Sequence, residues 1–131
     1  MKSFKTLLSV TITVLLLLST FAYAEEIRPY ADPEFQQVFI TLYSDGAADF
    51  ECTAYKNKSS LYVKNCQLQK KEGNRWVNVG ESTTGEKLKN ANSYLYTIDY
   101  SDQITSGTYR VKGTFVADNY KKTKYSAERT F

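Results

Sequence analysis

Apolar and polar residues alternate along most of the chain beyond residue 34. The stretch 104–116 shows the pattern most clearly. Its apolar residues fall on one face of an extended chain and its basic and hydroxyl residues on the other: Tyr109, Val111 and Phe115 against Arg110, Lys112 and Thr114. A period of two residues is typical of a strand buried on one side only. The stretch is therefore predicted to form a half-buried strand.

The same alternation predicts seven strands in all, at 35–43, 48–55, 61–71, 76–79, 94–100, within 104–116, and at 123–130. Turns such as Ser44-Asp45-Gly46 separate them, because Asp bonds to its own backbone and Gly accepts a positive φ. Residues 80–93 are rich in Gly, Ser, Thr and Asn, and they are predicted to form the longest loop. The sequence therefore predicts an all-β fold, an antiparallel β-sandwich spanning residues 35–131.

The first 24 residues have the features of a cleaved signal peptide. Lys2 and Lys5 precede an apolar run over residues 6–21, and Ala22-Tyr23-Ala24 places small residues before the cleavage position. A membrane-spanning helix needs about 20 apolar residues, and this run is shorter. We expect cleavage after Ala24 and a secreted, extracellular product that makes no membrane contact after cleavage. Residues 25–34 are expected to form an extended lead-in.

The composition limits the chemistry of the protein. The chain contains no His, which removes Ser–His and Cys–His nucleophile pairs, His-ligated zinc and the commonest general base. Removal of the leader brings the charge near neutrality, so nothing indicates a nucleic-acid partner. Lys121, Lys122 and Lys124 are interpreted as protection of an edge strand. We expect no cofactor, no metal and no enzymatic activity.

Any catalysis would have to depend on carboxylates. Asp49 and Glu51 share one face of a predicted strand, and Asp99 with Asp102 forms a second candidate pair. Paired acids can hydrolyse a glycosidic bond at a suitable separation. Asp45 together with the first pair also offers oxygen ligands for calcium. Carboxylates on an exposed sheet face are ordinary solubility residues, so a His-free glycosidase remains an alternative function only.

Cys52 and Cys66 are the two cysteines of the chain. Because an exported chain meets an oxidising environment, we expect them to form a disulfide. They are equidistant from residue 59, so they could lie opposite each other in a hairpin or join two sheets, and the sequence leaves both arrangements open. Val63 and Cys66 are three residues apart, so a bulge is predicted between them if both face inward.

Tyrosine is unusually frequent, with 11 in the chain. Tyr94, Tyr96 and Tyr100 fall on one side of a predicted strand. Aromatic residues favour strands and fill cores, yet an exposed tyrosine face would suit contact with sugars or proteins. The three residues are candidates for the binding surface if that face is exposed, and core residues if it is not.

Ile104, Gly107 and Tyr109 resemble the tyrosine corner of immunoglobulin-like sandwiches, where a Tyr near the start of the sixth strand bonds to backbone a few residues upstream. This resemblance implies an immunoglobulin-like fold and a structural role for Gly107 and Tyr109. The cysteine and tryptophan spacing of antibody domains is absent, because Trp76 follows both cysteines.

The whole chain is similar to small secreted proteins of Gram-positive bacteria. The similarity lies in the leader, the pair of cysteines, and the segments Trp76-Val77-Asn78-Val79 and Gly107-Thr108-Tyr109-Arg110-Val111. It implies a bacterial source and points to no particular activity. We therefore predict a secreted, non-catalytic binding or structural protein whose partner is a protein or a cell-wall glycan. A small secreted antagonistic toxin is an alternative.

Overall fold

The computed structural model describes residues 32–131. The signal peptide predicted at 1–24 and the lead-in up to residue 31 lie outside the described residues. The described part contains eight strands: β1 Phe35–Leu42, β2 Ala47–Lys58, β3 Leu61–Glu72, β4 Arg75–Thr83, β5 Ala91–Asp99, β6 Thr108–Ala117, β7 Tyr120–Tyr125 and β8 Arg129–Thr130. Over residues 32–131 we find no helix that is long and apolar enough to cross a membrane.

The eight strands form two antiparallel sheets. The smaller sheet has the order β1-β2-β5, and the larger sheet has the order β4-β3-β6-β7 with β8 paired to β6. The chain passes from one sheet to the other between β2 and β3, between β4 and β5, and between β5 and β6. The fold is therefore an all-β sandwich, as the alternation predicted.

The hydrophobic core lies between the two sheets, and the alternation decides which residues enter it. From β2, the buried side chains are Ala48, Phe50, Cys52 and Ala54. From β6, they include Tyr109, Val111, Phe115 and Ala117. The Phe50 ring reaches across to Gly113 of the opposite sheet, where an added Cβ would lie 3.0 Å from ring atoms. Glycine at position 113 therefore makes room for the largest buried side chain of β2.

The bulge predicted between Val63 and Cys66 is present. The register of β3 against β6 shifts between Lys64 and Gln67, and Asn65 has a φ of 53°. The extra residue allows side chains on both sides of the bulge to face the core, so that Val63 and Cys66 are both fully buried. Without this bulge, one of the two side chains would face outward.

Several strand boundaries differ from the prediction, most clearly in β4 and in the last predicted strand. The strand expected to end at Val79 continues to Thr83, because β4 still pairs with β3 where Thr83 lies opposite Cys66. The predicted loop 80–93 is therefore shorter. The last predicted strand is divided into β7 and β8 at Ser126, whose Oγ accepts a hydrogen bond of 2.9 Å from the backbone N–H of Val111. This side-chain bond takes the place of continuous strand pairing.

Candidate functional site

Tyr94, Tyr96 and Tyr100 lie on the core side of the smaller sheet, with Tyr100 directly after the end of β5. Tyr94 and Tyr100 are 4% and 3% exposed and belong to the core. Tyr96 is half-buried, with its ring centroid 6.3 Å from that of Phe50. Burial raises the pKa of Tyr94 to about 12. The three residues proposed as binding candidates are therefore packing residues, because the face that they share turns toward the opposite sheet.

The expected disulfide is wrong: Cys52 and Cys66 are both free thiols. The hairpin arrangement is excluded because Cys52 lies on β2 of the smaller sheet and Cys66 on β3 of the larger. Both side chains are buried, and burial raises the pKa of each thiol to about 12. Since thiolate is the form that undergoes disulfide exchange, burial keeps both cysteines in the unreactive form at neutral pH.

Tyr109 has the geometry of a tyrosine corner. Its ring is 1% exposed, and its hydroxyl accepts a hydrogen bond of 3.1 Å from the backbone N–H of Thr105. Thr105 lies four residues before Tyr109, which fits the upstream backbone partner of a tyrosine corner. Burial alone would raise the pKa of Tyr109, but the bonds from Thr105 and the nearby Lys70 lower it below its ordinary value. Gly107 has a φ of 137°, a conformation that favours glycine.

Two of the candidate carboxylates, Asp49 and Asp99, make structural hydrogen bonds. Asp49 accepts bonds from Tyr43 Oη (3.0 Å) and Thr97 Oγ1 (2.6 Å). Asp99 accepts a bond from the backbone N–H of Ser101, and this bond lowers its pKa. Among residues 32–131, no group of three or more Cys, Asp or Glu side chains is arranged to hold a metal ion. The proposed calcium ligands, Asp45 with Asp49 and Glu51, are thus not brought together as a metal site.

The most organised side-chain arrangement lies on the outer face of the larger sheet. Arg110 of β6 is held between two aromatic rings: its Cζ lies 4.3 Å from the ring centroid of Trp76 on β4 and 4.3 Å from that of Tyr125 on β7. Its Nε donates a hydrogen bond of 2.8 Å to Gln69 Oε1 on β3. Strands β3, β4, β6 and β7 therefore each contribute one contact or the residue itself, and they fix the guanidinium in place.

Buried amides continue this arrangement. Gln69 is 7% exposed, and its Nε2 donates a hydrogen bond of 2.9 Å to Asn78 Oδ1. Gln67 donates to the backbone carbonyls of Val79 and Gly80 at 2.9 and 3.1 Å. Beside these amides is an open groove of about 390 Å³, lined by Asn65, Gln67, Asn78, Ser82, Lys112, Thr114 and Thr123. The groove offers hydroxyl, amide and ammonium groups to a polar ligand.

This face is also positively charged. We call it the basic face and define it by four cations and two rings: Lys64, Arg110, Lys112 and Lys121, with Trp76 and Tyr125. In the registers of β3, β4, β6 and β7, the outward residues next to this set are basic or uncharged. At the Trp76 end of the face, the Nζ of Lys71 lies over the Trp76 ring and pairs with the carboxylate of Glu128 at 3.7 Å. The ion pairs found within residues 32–131 are Lys58 with Glu34 and Lys71 with Glu128. None of the four cations of the basic face takes part in them.

Comparison with protein-family models, with curated proteins and with solved structures finds no match to this chain. The assignment of a site therefore depends on the geometry of the chain itself.

Sequence reasoning placed Arg110 and Lys112 on the face opposite the core but did not recognise them as part of a site. Trp76, Gln69 and Tyr125 were missed because they come from three other strands. One signal was available: Gln67 and Gln69 alternate with Leu68 in a strand, which predicts two amides side by side on one sheet face.

Proposed function

We propose that the chain is an exported, non-catalytic binding protein of immunoglobulin-like topology that binds a glycan at the basic face. The observation that carries the proposal is the Arg110 stack beside the amide-lined groove. Aromatic rings and a few placed polar groups are the usual components of a site that recognises a small polar unit. The side chains are fixed before the ligand arrives, which lowers the entropic cost of binding.

Two features support the immunoglobulin-like topology. The strand orders 1-2-5 and 4-3-6-7 put the sixth strand beside the third in one sheet and the second beside the fifth in the other. This matches the pairing of strands C with F and B with E in immunoglobulin-like sandwiches. The Tyr109 hydroxyl, bonded to the backbone of Thr105, is the second feature.

Export and the absence of catalysis are supported by the sequence. The Lys-flanked apolar run followed by Ala22-Tyr23-Ala24 favours cleavage after Ala24. N-terminal sequencing of the protein from culture supernatant should begin at Glu25, and a full-length chain retained with the cells would contradict export. The lack of His removes the commonest general base, and two of the candidate carboxylates, Asp49 and Asp99, make structural bonds.

The test of the binding surface is affinity electrophoresis through gels that contain purified polysaccharides, neutral and acidic, together with pull-down on insoluble cell-wall material. Trp76→Ala should weaken retention about tenfold, because Arg110 loses a ring that holds its guanidinium in place. The matched control is Leu95→Ala on the outer face of the smaller sheet, where the side chain is 61% exposed. The proposal would be contradicted if both variants reduced retention equally, or if none of the glycans retained the protein.

A further inference from the structure

The guanidinium of Arg110 is positioned to receive an anion. A guanidinium has five N–H donors in a planar fork. Gln69 takes the one on Nε, and the Cζ atom lies 4.3 Å from the ring centroid of Trp76 and 4.3 Å from that of Tyr125. The described residues supply no hydrogen-bond partner to the terminal Nη groups. These groups form the edge that binds a carboxylate or a phosphate in a bidentate manner.

Three ammonium groups extend this positive charge in one direction along the sheet. Lys112 lies two residues after Arg110 on β6, about 7 Å farther along the strand. Lys64 is opposite Thr114, the next outward position, and Lys121 is opposite Val116 beyond it. The four cations therefore lie at successive positions along the direction of β6, and we call this row the track. The groove lies beside its middle, at Lys112 and Thr114.

The far end of the track is crowded with like charge. Proximity to Lys121 lowers the pKa of Lys64, because a second ammonium group disfavours the charged form. Among residues 32–131, neither lysine has a carboxylate in an ion pair. Two neighbouring cations without a counter-charge create a second position where an anion would be stabilised, separate from Arg110.

We propose that the ligand of the basic face is a linear polyanionic glycan, whose repeated carboxylate or phosphate groups pair with Arg110 at one end of the track and with the lysines beyond it. This proposal rests on the proposed function. A polymer fits better than a single small anion because the cations are spread over several strand positions, and each contact after the first is made at a high effective concentration.

A glycan fits better than a nucleic acid for a different reason. Binding of single-stranded nucleic acid relies on aromatic rings on which bases stack. On the basic face, the rings of Trp76 and Tyr125 each have the Arg110 guanidinium stacked on them. The groove instead presents Asn, Gln, Ser and Thr side chains, which suit the hydroxyl groups of sugars.

The experiment compares four probes by fluorescence titration at several salt concentrations: polygalacturonate as a carboxylate polysaccharide, a phosphomannan as a phosphate polysaccharide, dextran as a neutral polysaccharide, and oligo-dT. We expect affinity for one or both acidic glycans to fall linearly with salt on logarithmic axes, with a slope near the number of cations engaged, roughly three or four. The two acidic probes distinguish carboxylate from phosphate recognition.

Charge-matched variants test the track itself. Lys112→Gln should reduce the salt slope by about one, whereas Lys56→Gln, which removes the same charge from β2 of the smaller sheet, should leave it unchanged. Arg110→Lys keeps the charge but loses the planar fork, so affinity should fall about tenfold or more with little change in slope. Urea denaturation of each variant shows that the fold is retained.

The outcomes separate this inference from the proposed function. Binding of dextran as tightly as the acidic glycans, with a flat salt dependence, would overturn the polyanion assignment and leave glycan binding intact. Tighter binding of oligo-dT than of any glycan would overturn the choice of a glycan. Binding of none of the polysaccharides would overturn the proposed function together with the inference.

Discussion

The two outer faces of the sandwich differ in charge and in how their side chains are held. On the smaller sheet, Glu51 of β2 lies between Phe39 of β1 and Leu95 of β5 in one cross-strand row. Phe39 and Leu95 are 50% and 61% exposed. On the larger sheet, Arg110 is bonded to Gln69 and packed between two rings. The same strand geometry therefore carries a row of exposed side chains on one side and an ordered cluster on the other.

This difference indicates that exposed apolar side chains mark a binding surface less well than side chains held in a fixed arrangement. Exposed apolar side chains that occur singly are normal on soluble proteins. A buried amide that fixes a stacked arginine is less easily explained by solubility, because two polar groups are desolvated to hold one cation in place. The four predictions below test how far the two faces depend on their common core and how far each is independent.

The largest effect is expected from Phe50→Ala, which removes the ring that joins the two sheets at Gly113. Loss of a buried Phe should lower the free energy of unfolding by about 3–5 kcal/mol. Phe39→Ala is the matched control on the outer face of the smaller sheet, and it should change the free energy of unfolding by no more than about 0.5 kcal/mol. Urea denaturation measures both. Equal losses would mean that Phe39 belongs to a packed surface.

The interior cysteines, one from each sheet, should make stability fall at high pH. Burial raises the pKa of Cys52 and Cys66 to about 12, above the unfolded value of about 8.5. The stabilisation is therefore fully present below about pH 8.5 and is lost between there and pH 12, at about 1.4 kcal/mol per pH unit for each thiol. The urea midpoint measured from pH 8 to 10.5 should fall more steeply for the wild type than for the Cys52→Ala, Cys66→Ala double variant.

An independent measurement tests the same burial. In native protein at pH 8, a thiol reagent such as dithionitrobenzoate should react with neither cysteine, and in urea it should react with both. A thiol that reacts at once in the native protein would show that its side of the core is open.

Two buried tyrosines, Tyr109 of β6 and Tyr100 directly after β5, should respond differently to loss of the hydroxyl. Tyr109 Oη is bonded to Thr105, so Tyr109→Phe should cost about 1 kcal/mol and lower Tm by roughly 4–8 °C. Among residues 32–131, Tyr100 Oη is buried without a hydrogen-bond partner, so Tyr100→Phe should be neutral or stabilising. Thermal denaturation distinguishes them. A loss at Tyr100 as large as that at Tyr109 would mean that its hydroxyl has a partner, such as a bound water.

The smallest effect is expected when the contact between Arg110 and Trp76 on the basic face is removed. Trp76 is the single tryptophan of the chain, so its fluorescence reports on the Arg110 contact. Arg110→Ala should shift its emission and cost about 0.5–1 kcal/mol, the usual strength of an exposed cation–π contact. Lys112→Ala, on the same strand and the same face, should leave the emission unchanged. If the two variants give the same spectrum, Arg110 is not stacked on the ring.

The core, the sheet faces and the bulge at Asn65 could be predicted from the sequence because each depends on the phase of the alternation within one strand. The role of the β5 tyrosines could not, because a tyrosine satisfies both a core and a surface position. The cysteines could not be settled either: their spacing fits a hairpin, and the passage from β2 in one sheet to β3 in the other is a property of the whole topology.

Only the β6 residues of the candidate site could be predicted from the sequence. The alternation around Tyr109 put Arg110 and Lys112 on the outer face without reference to any other strand. Their neighbours Trp76 and Tyr125 depend on the register of β4 and β7, which a single sequence does not specify. A one-residue change in that register would turn both rings to the opposite side of the sheet.

The strand order described above also has a consequence for the time that the chain needs to fold. In the smaller sheet Phe50 pairs with Tyr96, and in the larger sheet Leu68 pairs with Val111, so the central pairings join segments that are far apart in sequence. Hairpins such as β1–β2 and β6–β7 form in about 1–10 μs. Sandwiches dominated by distant pairings fold in milliseconds to seconds.

During that interval, β2 and β3 have formed hairpins but still lack their partners from the second half of the chain. Each then presents an open edge of backbone donors and acceptors, a surface on which another chain can pair. The period of greatest risk of aggregation therefore ends when β5 and β6 are added, and it is set by the connectivity of the strands.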